Sequence, residues 1–243
     1  MSHQPKETFQ AAVEEGQRRL ERKTPELLAT GAVGGLDVGT GVLGLLVVKQ
    51  ATGNDLLAAL AFSIGFIALT LAGSELFTEN FLVPVVALAA KRSKLRAIGR
   101  LWCGTLVSNL VGGWVLMGIV MVAFPKLNPV AVQIGTSYTK LGIGWVSFAG
   151  ALLGGVVITL MTWMEQGTNS VPAKLLCAIV AAFILAAAPL NHVIVVSLEM
   201  FAALQAGAHF GYLDWLGMAA WFGLGNIIGG VGLVTVLRLV QVR

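Results

Sequence analysis

Charge is scarce in this sequence. Of its 243 residues, 12% are Asp, Glu, Lys or Arg, about half the share typical of a soluble domain. That shortage excludes an ordinary water-facing globule. Cysteine is nearly absent. Cys103 and Cys177 both lie in apolar stretches and read as small packing residues, which excludes a disulfide-stapled fold. There is no Walker motif and no dinucleotide fingerprint. There is no metal-ligand set either, because His192 and Glu199 alone do not make one. No nucleophile–base arrangement is visible. The sequence therefore predicts neither an enzyme nor a cofactor. The first 30 residues lack an apolar h-region, so no cleaved secretory signal is expected and the chain inserts through its own helices.

What is abundant is apolar: 56% hydrophobic residues, a mean hydropathy of +0.83 and 30 glycines. Long apolar runs predict an all-α membrane protein. Small residues suit its tightly packed helices. Residues 5–23 are charged and weakly amphipathic, with Phe9, Ala12, Val13 and Leu20 on the less polar side. They predict an interfacial helix lying on the membrane.

Six apolar units follow, at about 25–49, 55–90, 95–124, 141–164, 172–208 and 212–238. The second and fifth run for about 36 residues, or ~54 Å as helix, against a hydrocarbon core of ~30 Å. Each has a polar cluster near its middle: Gly73, Ser74, Glu75, Thr78, Glu79 and Asn80 in the second, Pro189, Asn191 and His192 in the fifth. Pro and Gly there predict broken helices. Irregular backbone at membrane depth is tolerated only inside protein or beside a watery cavity, so the breaks point to a pathway.

Basic residues set the expected orientation. With six spans and the N-terminus inside, the inner side receives Lys6, Arg18, Arg19, Arg22, Lys23, Lys91, Arg92, Lys94, Arg96, Arg100, Lys174, Arg238 and Arg243. The outer side receives Lys49, Lys126 and Lys140. The net charge of +4 then reports loops near anionic lipid, and nucleic acid is not an expected partner. Both termini are expected in the cytoplasm.

The chain repeats internally. Asn109-Leu110-Val111-Gly112-Gly113 recurs 117 residues later as Asn226-Ile227-Ile228-Gly229-Gly230, and the same offset carries Glu75 onto His192. Three spans per half is odd, so the halves are expected as inverted repeats, at about 24–124 and 141–243, forming a transmembrane domain over 24–243 behind an N-terminal helix at 1–23. Paired broken helices in inverted repeats place a transport site near the midplane. The small residues Gly112, Gly113, Gly229 and Gly230, with Asn109 and Asn226, are expected at helix-packing contacts.

At these residues the chain resembles the formate/nitrite transporter family, over almost its whole length from about residue 24. Leu76-Phe77-Thr78 is similar to the loop in that family's broken second helix. Asn191-His192 with the apolar stretch after it is similar to the fifth-helix break with its central His. Gly225-Asn226-Ile227-Ile228-Gly229-Gly230 is similar to the sixth-helix motif. The resemblance implies an aquaporin-like subunit, a homopentamer with one pore per subunit in the inner (plasma) membrane, and a small monovalent anion or its weak acid as substrate. Three positions depart from the formate and nitrite members: Asn191 stands for their Glu, Val196 for an Asn, and Gly155 near a fourth-helix Asn. The wording around Asn191 is closest to a divergent subgroup.

His192 is the first candidate for the site, because its charge responds to pH in the physiological range. Thr78 offers a hydroxyl from the opposite break, or a helix cap. Glu75 is an intramembrane carboxylate, expensive and functional by default, and the repeat turns it toward His192. Glu79 suits a half-helix N-terminus. Glu199 lies two turns after His192 on one helical face, and Asp37 sits among glycines. Lys140, near the outer end of the fourth span, could draw anions into a vestibule. Leu76, Phe77, Phe66, Phe183 and Leu185 are candidate hydrophobic constrictions. Rival readings are a channel for a neutral solute, against which the absence of Asn-Pro-Ala motifs weighs, and a non-transporting scaffold whose residues 5–23 bind a partner.

Overall fold

The structure is a computed structural model and describes residues 4–242. Helix α1 (Pro5–Glu21) precedes α2 (Thr24–Thr52) and α3 (Asp55–Ala72). A break follows, continuing as a 3₁₀ turn (Phe77–Phe81) and a short α4 (Val83–Ala89). Helix α5 (Leu95–Ala123) closes the first half. The second half holds α6 (Asn128–Leu141), α7 (Trp145–Gln166), α8 (Val171–Ala187), a second break, α9 (Val193–Gln205) and α10 (Tyr212–Ile227). A π-helical segment (Ile228–Thr235) carries α10 into α11 (Val236–Gln241). Among the described residues there is no strand. By length and composition, α2, α3, α5, α7 and the Tyr212–Gln241 run can each cross a bilayer, while Phe77–Ala89, α8 and α9 are shorter apolar pieces.

The second and fifth apolar runs are interrupted where their polar clusters fall. Helix α3 ends at Gly73, whose φ of 66° is left-handed, a conformation glycine adopts without steric cost. Helix α8 ends before Pro189, and His192 caps α9. Proline closes the first turn of α4 as well, where Pro84 sacrifices no helical hydrogen bond.

Packing repeats between the halves. Helix α2 lies against α3 and α5, and α7 against α8 and α10. Helix α1 packs on α4, and α6 packs on α9. Residues 125–140, between the third and fourth apolar units, therefore contain the second half's counterpart of α1. Their polar Gln133, Thr136, Ser137 and Thr139 hid this helix, because at 14 residues it is too short to span. Helix α1 also departs from expectation. Its Ala12, Val13 and Leu20 are buried against Leu82, Val83, Val86, Ala87 and Trp163, so protein rather than lipid covers its apolar side.

The motif glycines sit at backbone crossings. A Cβ on Gly112 would strike the Ala32 carbonyl, and one on Gly229 the Leu152 carbonyl. Gly113 faces Leu198, and Gly230 faces Thr159 and Phe81. Close approach of this kind gains dispersion contacts that lipid cannot supply.

Candidate functional site

Breaking a helix inside an apolar body leaves backbone groups that need partners. Two asparagines supply them. Asn109 Nδ2 donates to the Gly31 and Glu75 carbonyls at 2.7 and 2.8 Å, and its Oδ1 accepts from the Phe77 N–H at 2.8 Å. Asn226 Nδ2 donates to the Ala151 and Asn191 carbonyls at 2.6 and 2.9 Å, and its Oδ1 accepts from the Val193 N–H at 2.8 Å. Both side chains are fully buried. Expected as packing residues, they clamp the two breaks. The matched bonds also correct the register: Glu75 corresponds to Asn191 and Leu76 to His192, one residue away from the 117-residue offset.

More partners hold the first break. Glu79 Oε2 accepts from the Leu76 N–H at 3.2 Å, Trp102 Nε1 donates to the Asn80 carbonyl at 2.9 Å, and Thr235 Oγ1 donates to the Phe81 carbonyl at 2.8 Å. Phe77 stacks edge-on with Phe81 and Trp102, at centroid distances of 4.9 and 6.0 Å. Leu76 is fully buried beside it.

The breaks meet in the middle. Thr78 Oγ1 and His192 Nε2 are 2.6 Å apart, and both residues have no exposed surface. His192 Nδ1 accepts from the Val195 N–H at 3.4 Å, capping α9. With Nδ1 accepting, the neutral ring carries its proton on Nε2 and donates it to Thr78. The Thr78 hydroxyl proton is then left to donate elsewhere. The pair presents a donor and a protonatable ring at one buried point.

Glu75 does not pair with His192. Its Oε1 lies 2.5 Å from Arg22 Nη1 and 3.1 Å from Arg19 Nε, in ion pairs set by charge rather than by aligned N–H bonds. Arg19 also reaches Asn80 Oδ1 at 3.2 Å and Glu79 Oε2 at 3.6 Å. Arg100 Nη2 donates to the Leu20 and Arg22 carbonyls at 2.8 and 2.7 Å, tying down the end of α1. Burial alone would weaken the Arg19 charge, but Glu75, Glu79 and Glu15 reverse that and hold it firmly cationic. Arg19 and Arg22 read as ordinary basic residues of an interfacial helix. Only the fold brings them to carboxylates more than 50 residues away.

The remaining candidates separate. Glu199 Oε2 accepts from Tyr138 of α6 at 2.5 Å, in a buried pair. Tyr138 escaped notice because α6 did. Asn191 Nδ2 donates to the Ser147 carbonyl at 2.7 Å. Asp37 Oδ2 accepts from Ser74 at 2.5 Å. Lys140 is exposed on the last turn of α6. Phe66 stacks on Phe62 in the core, Leu185 is buried and Phe183 half-buried. A Cβ on Gly155 would collide with the Asn226 backbone, so the second clamp has no room for a larger residue there. Among the described residues no three His, Cys, Asp or Glu side chains are grouped to hold a metal.

The sequence matches the profile of a family described as formate/nitrite transporter over residues 6–240. Inner membrane protein YfdC of Escherichia coli (strain K12) is 28% identical over 246 residues, spanning 95% of this chain and 76% of that protein. Formate channel BtFdhC of Bacillus thuringiensis is 25% identical over 257 residues, spanning 96% and 93%. Among solved structures, an FNT family ion channel superposes with a TM-score of 0.83 at 18% identity, covering 97% of this chain and 99% of that one. A pentameric formate channel with formate bound gives 0.74 at 22%, covering 90% and 98%.

Proposed function

Because the chain belongs to the formate/nitrite transporter family, we propose that it moves a small monovalent anion or its conjugate weak acid across the membrane, with Thr78 and His192 as the selecting pair. One observation carries this reading. Two interrupted spans deliver a hydroxyl and an imidazole to one buried contact of 2.6 Å. A permeating acid or anion there can take a hydrogen bond from Thr78, and a proton from His192 when the ring is charged. Desolvation at so buried a point makes passage of a bare ion expensive, which favours crossing in the protonated form.

The subunit is read as one pore of a homopentamer, by analogy with the pentameric formate channel on which it superposes. Formate, the ligand of BtFdhC by its name, is the first substrate to test. The bias of Lys and Arg supports cytoplasmic termini, and the relative YfdC supports an inner-membrane location.

The test is flux of formate, nitrite and acetate into proteoliposomes across a pH series, with wild type and His192→Ala in parallel. Saturable uptake that the substitution abolishes is the expected result. Wild-type vesicles as tight as empty ones to all three solutes would overturn the assignment, and passage of neutral solutes alone would redirect it.

A further inference from the structure

A polar cavity of about 210 Å³ opens between α1 and the first break, walled by Thr70, Ser74, Glu75, Glu79, Glu165 and Lys174, with α1 supplying the remaining side. Its carboxylates are Glu15, Glu75, Glu79 and Glu165. Arg18, Arg19 and Lys174 answer them in the wall, and Arg22 does so from behind Glu75. Only with Arg22 counted do these formal charges cancel, so the cavity offers an anion no net pull. Asp37, bonded to Ser74, stands next to the wall and adds a further charge against an anion.

The hydrogen bonds show what is still open. Glu15 is bonded to both Arg18 and Arg19. Glu79 is bonded to the Leu76 N–H, and Glu165 Oε1 accepts from Thr70 at 3.3 Å. Glu75 turns Oε1 to its two arginines, while Oε2 makes no hydrogen bond among the described residues. That residue is 1% exposed. A buried acceptor in a cavity with no net positive charge calls for an O–H donor and not for a bare anion. The corresponding position in the other break is Asn191, 2% exposed, and its Oδ1 likewise makes no hydrogen bond. The two breaks thus offer matching open acceptors, of which only Glu75 can accept a proton.

We propose that this cavity binds the undissociated weak acid, whose O–H donates to Glu75 Oε2, and that Glu75 takes the proton as the anion departs. This deepens the transport reading and rests on it. In the step, the acid's O–H bond breaks with its electron pair left on the anion, and an O–H bond forms at Oε2. Water entering the cavity then removes the proton and restores the carboxylate. Run backwards, the same step loads a proton onto an arriving anion. Glu75 is the proton exchanger on the α1 side, and Asn191 provides a neutral acceptor on the other.

The experiment follows radiolabelled formate and lumenal pH together in proteoliposomes of the full chain. Wild type is expected to move protons with formate. Glu75→Gln keeps the size and a hydrogen-bond acceptor but cannot carry a proton, so uptake should fall about tenfold, the scale of lost acid–base assistance. The pH profile of uptake should flatten too, a change that loss of structure alone would not produce. Glu75→Asp should keep a wild-type profile. A wild-type pH profile in Glu75→Gln overturns the proposal. Should that variant fail to assemble, an apolar carbodiimide on the wild-type protein decides the matter. Formate, and not chloride, should slow labelling of Glu75, and equal labelling rates would overturn it. Failure of the wild type to take up any weak acid would instead remove the transport reading, whereas the labelling experiment tests the cavity by itself.

Discussion

Asn109 and Asn226 make the same three hydrogen bonds in the two halves of the chain, each donating to two carbonyls and accepting one N–H across a broken helix. Each amide thereby does for a discontinuity what a helix otherwise does for itself. The carbonyls come from the residue two before the restored N–H and from a neighbouring span, so one side chain fixes both the shape of the break and its seat in the bundle.

Removing either amide should therefore loosen a whole half of the site. Asn226→Ala leaves the Val193 N–H and the Asn191 carbonyl without this partner in a dry interior, a loss of about 2–6 kcal/mol at ~1–3 per orphaned group. Asn109→Ala is expected to behave alike. Thermal melting of the detergent-solubilised protein checks this, with Asn226→Asp falling between the wild type and the alanine variant. An unchanged midpoint for both alanine variants would show that the breaks hold by packing alone.

The breaks were legible because two apolar runs were too long for the bilayer and each carried a glycine or proline beside polar residues. The repeat placed the two breaks opposite each other but turned Glu75 toward His192, whereas Thr78 is the residue that meets it. The register of the repeat was not legible, since the Asn motif and the break differ by one residue in offset, and only the clamp bonds fix which carbonyl matches which. Helix α6 stayed hidden because a short amphipathic helix packed on protein gives neither a span-length run nor a clear stripe. Arg19 and Arg22 stayed hidden because sequence shows charge but not where a docked helix points it. Gly155 is a further example: it reads as a missing side chain, and the structure shows the Asn226 backbone occupying that space.

Thr78→Val keeps the shape of the side chain and removes the hydroxyl. The His192 ring then loses its partner at Nε2 and the permeant loses a donor. Formate uptake is expected to drop about tenfold or more, the scale of one strong hydrogen bond. Thr78→Ser should retain most of it. Initial rates in proteoliposomes distinguish the two, and equal rates for Val and wild type would remove Thr78 from the selecting pair.

Helix α1 should loosen in acid. Burial alone would raise the Glu15 carboxyl, but Arg19 and Arg18 outweigh it and hold it below its ordinary value of 4.5. A carboxyl depressed by folding contributes stability above its unfolded pKa, and the contribution disappears as pH falls through the folded value. Hydrogen exchange along residues 5–21 should be flat from neutral pH down to about 5 once corrected for intrinsic rates, and accelerate below about 4. Glu15→Gln should show the faster exchange already at neutral pH. Protection that ignores pH in the wild type would mean that the apolar face alone secures the helix.

Arg19 tests whether α1 belongs to the machinery of the first break. Its side chain, 10% exposed, faces Glu75 and Glu79, which are more deeply buried still. Arg19→Met removes the charge while keeping much of the stem, leaving two carboxylates short of a cation, and breaking a buried pair in this way costs about 3–5 kcal/mol. Adding Glu79→Gln removes one of the stranded charges. The double variant is therefore expected to recover about 1–2 kcal/mol relative to Arg19→Met, a coupling of the size seen between residues in direct contact. A double-variant cycle on the melting midpoint of the solubilised protein measures that coupling. Strict additivity would mean that Arg19 stabilises α1 by its own packing, and the break would then have to hold its carboxylates without help from the N-terminal helix.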